Sequence, residues 1–89
     1  MVLTKTFTIE NKQGLHARPA ALFVKAANKY QSEIWVKKED EEVNGKSIMG
    51  LMMLAAECGS QLEVSAEGDD AEAAMAELEA MISGGFEGT

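Results

Sequence analysis

The apolar residues of this chain fall into alternating runs and helical stripes that together predict seven elements. Val2 to Ile9 alternates Leu3 and Phe7 to Ile9 with Thr4, Thr6 and Thr8, the mark of a strand with one wet face. Asn11 to Gly14 is a polar turn. From Ala17 to about Tyr30 the period becomes helical, with Ala20, Phe23, Val24 and Ala27 on one face. Pro19 lacks an N–H and suits only a first helical turn, so this helix must begin close to His16. Glu33 to Lys38 is the next strand, with Ile34 and Val36 on one face and Trp35 on the other. Glu39 to Glu42 is read as a solvated turn leading to a short strand near Val43. Asn44-Gly45 resembles a hairpin turn, but the residues that follow are helical in pattern. Ser47 is expected to cap a helix running to Ala56, with Gly59 ending it. Leu62, Val64 and Ala66 mark a last strand. Asp69 and Glu72 have the spacing of a capping box. They open the clearest amphipathic stripe, Ala71, Ala74, Met75, Leu78, Met81 and Ile82. Ser83-Gly84-Gly85 should end it and leave the last residues loose.

Each strand and helix has one apolar face. The economical packing is an α+β fold of order βαββαβα, with an antiparallel sheet and helices on one side only. At 89 residues, with 46% hydrophobic and 26% charged residues, residues 1–89 read as one globular domain. The formal net charge of -7 argues against nucleic acid and favours a basic protein surface as partner. No signal peptide pattern and no apolar run of membrane-spanning length appear, so no membrane insertion is expected. Cys58 is the single cysteine, beside Glu57 and Gly59, and reads as a small half-buried residue of a reducing cytoplasm.

His16 is the only histidine, in Gly14-Leu15-His16-Ala17-Arg18-Pro19-Ala20. A helix start presents N–H groups and partial positive charge, which together make an anion site. The same positive end disfavours imidazolium and leaves a neutral ring nitrogen as nucleophile. Arg18 adds a cation able to hold phosphoryl oxygens. The plain alternative is a helix cap beside a solvated arginine. A metal site would need a second histidine or a partnered cysteine, so neither metal nor cofactor is expected. Met49, Met52 and Met53 share the short second helix with Ile48, Leu51 and Leu54. One helix cannot bury all of these against one sheet, so part of the set should form an adaptable docking patch.

The segment Gly14 to Ala20 resembles the active-site motif of the HPr family, the histidine-containing phosphocarriers of the bacterial phosphoenolpyruvate-dependent phosphotransferase system. Lys46-Ser47-Ile48-Met49-Gly50 is similar to that family's regulatory-serine segment, and Ser65-Ala66-Glu67-Gly68 extends the likeness toward the last helix. The resemblance implies an open-faced β-sandwich, four antiparallel strands under three helices. It implies a cytoplasmic, monomeric carrier rather than an enzyme, phosphorylated on His16 Nδ1 by phospho-enzyme I and discharged to IIA components. Arg18, with the backbone N–H groups of Ala17 and Arg18, would hold the phosphoryl group. Ala21, Ile48, Met49 and Met52 would meet the partners. Ser47 would be the target of a serine kinase/phosphorylase where one exists. His16 sets the chain apart from the family's histidine-less regulatory branch. The Ser83-Gly84-Gly85-Phe86 tail is similar to a nitrogen-related branch, whereas Lys46 to Gly50 fits the sugar branch, so both stay open. A small acyl-phosphate hydrolase is a rival that would not need His16.

Overall fold

The computed structural model describes residues 1–86. In chain order the elements are β1 (Val2–Thr8), α1 (Ala17–Ala27), β2 (Glu33–Lys38), β3 (Glu41–Asn44), α2 (Ile48–Met53), β4 (Gln61–Glu67) and α3 (Ala71–Ser83). The strands form one antiparallel sheet in the order β1-β4-β2-β3. Register places Phe7 opposite Leu62, Ile34 opposite Ala66 and Val36 opposite Val64. Those residues are buried beneath the helices, along with Phe23, Leu51, Met75, Leu78 and Ile82. Threonines 4, 6 and 8 and the alternate residues of β4 face the other, open side of the sheet. Trp35 is half-buried on that side, opposite Ser65 and Asn44, as its alternation with Ile34 and Val36 predicts.

The element order and the α3 stripe follow the pattern in the sequence; several boundaries do not. Helix α1 ends at Ala27 rather than Tyr30. Beyond it the chain tightens, with Lys29 N–H donating to Ala26 and Tyr30 N–H to Ala27. Helix α2 ends at Met53 rather than Ala56, because Ala55 turns left-handed at φ 51°. Gly59 therefore ends no helix; its N–H bonds the Ile9 carbonyl at 2.8 Å on the way into β4. Only Glu39 and Asp40 make the acidic turn, with Glu39 at φ 56°, and Glu41 and Glu42 belong to β3. The Asp69 capping box does not form: Asp70 is the cap residue of α3, and its side chain bonds elsewhere. Cys58 is exposed, not half-buried.

The chain end is less loose than the glycines suggest. Phe86 is 3% exposed and its N–H reaches back to the Met81 carbonyl, while residues 87–89 lie outside the described part. Among the described residues, no helix is long and apolar enough to cross a membrane.

Candidate functional site

His16 is the N-cap residue of α1, with extended backbone at φ -92° and ψ -166°. Its carbonyl accepts the Ala20 N–H at 2.9 Å, which starts the helix, but its side chain makes no capping bond. The imidazole is exposed and has no part in closing the helix. Pro19 sits in the first turn, where its missing N–H costs nothing.

The loop before His16 is fixed by close backbone contact with the exit of α2. Gly14 has φ +72°, and a Cβ there would strike the Ala56 carbonyl oxygen and come within 2.9 Å of Glu57 Cα. Only glycine combines that dihedral with that approach. Leu15 is buried and its N–H donates to Ala56 O at 2.8 Å. The early end of α2 thus has a local consequence: it frees the Ala56 carbonyl to hold the His16 loop. Asn11 closes the turn from the other side, its Nδ2 donating to Gly14 O at 2.6 Å.

Ala17, Arg18 and Ala21 are exposed on the first turns of α1. Helix α2 packs against α1. Ser47 is its N-cap, as the sequence predicts, and Ser47 Oγ accepts the Gly50 N–H at 3.0 Å. Leu51 and Leu54 are buried, whereas Ile48, Met49 and Met52 are 43%, 76% and 45% exposed. Met53, 68% exposed, extends this apolar patch; it belongs to the apolar set of α2 in the sequence but not to the four residues expected there to meet partners. Its spacing of four from Met49 was the available signal. The residues expected to hold the phosphoryl group and to dock partners therefore lie at the start of α1 and on α2, two packed helices whose flanking loops are joined by the Leu15–Ala56 bond.

A depression of about 390 Å³ lined by Thr6, Lys37, Lys38, Glu39, Ser60, Gln61 and Glu63 contains none of these residues. The candidate-site residues lie exposed outside that depression, which suits a macromolecular partner better than a small substrate. Among the described residues, no group of three His, Cys, Asp or Glu is placed to hold a metal ion.

A family model described as the PTS HPr component phosphorylation site matches residues 3–84. The chain belongs to the HPr family. The phosphocarrier protein HPr of Treponema pallidum (strain Nichols) is 45% identical over 86 residues, covering 97% of this chain and 98% of that protein. Among solved structures, HPr-C-His from Thermoanaerobacter tengcongensis matches with a TM-score of 0.93 at 49% identity, over 98% of both chains. An HPr dimer from the same organism matches with a TM-score of 0.77 at 52% identity, over 90% of this chain and 92% of that one. A phosphocarrier role in the phosphotransferase system comes with the family, as does the four-stranded open sheet with three helices.

Proposed function

We propose that residues 1–89 act as one monomeric, cytoplasmic carrier domain that accepts a phosphoryl group on His16 from phospho-enzyme I and passes it to IIA components. The observation that carries this reading is the exposed, unspent imidazole of His16 at the start of α1. The Nδ1 lone pair forms the new bond to phosphorus while the donor's bond to phosphorus breaks and its electron pair returns to the donor. Nε2 keeps its proton. The positive end of α1, with Ala17 and Arg18 N–H groups and the Arg18 guanidinium, steadies the transferring charge. The chain is regenerated at each transfer and does no net hydrolysis, so it is a carrier rather than an enzyme.

Ala21, Ile48, Met49 and Met52, with Met53, form the docking surface, and its methionines can repack against different partners. Ser47 is the regulatory site. A phosphate there adds about -1.5 to -2 charges at the start of α2, next to the apolar patch a partner must cover.

The test is to incubate the chain with phosphoenolpyruvate and enzyme I and weigh it intact. One phosphoryl group, lost in acid, is expected. A chain that gains no mass, or that keeps acid-labile phosphate after His16→Ala, overturns the reading.

A further inference from the structure

We infer that Asn11 is a positioning residue for phosphoryl transfer, acting on His16 through the Gly14 carbonyl; this rests on the carrier reading above. Asn11 makes two contacts with Gly14. Its carbonyl accepts the Gly14 N–H at 3.0 Å, and its Nδ2 donates to the Gly14 carbonyl at 2.6 Å. The same Gly14 oxygen accepts the N–H of His16 at 3.1 Å. One oxygen, with both lone pairs engaged, thus joins the Asn11 side chain to the backbone of His16. Leu15, between them, is held from the other side by Ala56. The exposed imidazole has no capping bond of its own, so the loop backbone sets where it stands.

A second observation shows that the donor is what this position requires. Asn11 Oδ1 is buried and, among the described residues, has no hydrogen-bond partner. Buried polar atoms are paired as a rule, and an orphan costs stability. Exchanging the two amide atoms offers no escape, because an oxygen facing the Gly14 carbonyl would be repelled. In the common turn roles of Asn, Asp and Ser, a side-chain oxygen accepts a backbone N–H, and any of the three serves. Here the side chain donates to a carbonyl, which an ionised aspartate cannot do. The fold tolerates an unpaired oxygen in order to keep an amide nitrogen on Gly14.

Without that donor the Gly14–Leu15 peptide keeps its bonds to Ala56 and His16 but loses its third anchor and tilts, and the His16 backbone moves with it. Transfer is sensitive to such shifts: a displacement of about 1 Å can cost roughly a hundred-fold. The α2 patch and Ala21 are untouched by the change, so docking should persist.

The experiment compares Asn11→Asp, which keeps the shape and loses the donor, with Asn11→Ala, which loses the amide. Phosphorylation by phospho-enzyme I is measured as kcat and KM, beside the thermal melt and the ¹⁵N signals of the His16 ring. We expect kcat to fall about ten-fold or more in both, KM to stay within about two-fold, and the ring signals to shift. Rates within about two-fold of wild type, or a loss confined to KM with unshifted ring signals, would overturn the inference. So would melting of both variants below the assay temperature, since Asn11 would then serve the fold alone. A wild-type chain that takes no phosphoryl group would overturn the carrier reading and this inference with it. A phosphorylated wild type with equally active variants would overturn this inference only.

Discussion

The cap carbonyls of α1 and α3 open their helices in the same way, His16 accepting the Ala20 N–H and Asp70 the Ala74 N–H, but the two cap side chains are spent in opposite ways. At α3 the cap residue is Asp70, and its carboxylate reaches across to the chain entering β2. It accepts the Gln31 N–H at 2.8 Å, the Ser32 N–H at 2.9 Å and the Ser32 hydroxyl. At α1 the cap residue is His16, and its side chain makes no capping bond. Ser47 stands between these cases, bonding its own helix through Gly50. A polar side chain spent on the fold is unavailable for chemistry. One left exposed at a helix start, on a loop as tightly fixed as Gly14 to His16, is available for it.

The contrast breaks first at His16. His16→Ala should abolish enzyme I-dependent phosphorylation and leave the melting temperature near wild type, because no structural bond is lost. Intact mass and a thermal melt on the same sample check both halves. A large drop in melting temperature would mean that the imidazole serves the fold after all.

Arg18→Ala tests the neighbouring cation. The guanidinium lies on the exposed first turn of α1, where a charge contributes little to folding but helps stabilise a transferring phosphoryl group. Transfer should slow by roughly ten-fold or more, about 1.4 kcal/mol of barrier. Stopped-flow or quenched transfer from phospho-enzyme I measures it. An unchanged rate with a marked loss of stability would reverse the assignment.

Ser47→Asp beside Ser47→Ala asks whether a cap can carry a second duty. Aspartate still accepts a backbone N–H and suits a helix start, so it should melt near wild type while its charge beside Ile48 and Met49 slows transfer several-fold. Alanine should transfer normally and lose about 1 kcal/mol of stability with its capping bond. Equal transfer rates in the two would leave Ser47 as a cap and nothing else.

What the sequence made legible divides along physical lines. Periodicity is a property of single elements, so the seven elements and the α3 stripe could be read directly. Ser47 was readable because its capping bond is local, three residues long. The end of α2 was not, because Ala55 turns left-handed to bring Ala56 under Leu15, and that contact spans some forty residues of chain. Asp70 as the cap residue of α3 was not legible for the same reason. A capping box is a local motif, whereas Asp70 bonds residues 31 and 32. Phe86 looked loose because the glycines before it mark a helix end without showing where the chain returns. Of the candidate site, His16 and Arg18 came from the motif, but Asn11 looked like any turn residue until its amide was seen on Gly14.

Asp70→Asn should leave transfer unaltered and change only stability, in a pH-dependent way. The Ser32 hydroxyl, and then the Gln31 N–H, hold the Asp70 carboxyl below its ordinary value of 3.8. A carboxyl lowered in the folded state binds its proton more readily when unfolded. Its stabilising effect is therefore fully present above about pH 3.8 and is lost as pH falls through the lower, folded value. Asparagine keeps one acceptor and turns an amide donor toward a donor, so the variant should melt below wild type at neutral pH. As pH drops below 3.8, wild type takes up its proton and loses the advantage that the variant never had. Glu77, also lowered by Lys29 and Tyr30, shifts both proteins equally because it is present in both. The two melting curves should therefore converge in acid. A gap that stays constant from neutral pH to well below 3.8 would show that Asp70 acts through shape rather than through its charge. A fall in the rate of His16 phosphorylation at neutral pH would show that the two helix starts are not as separate in purpose as their bonding implies.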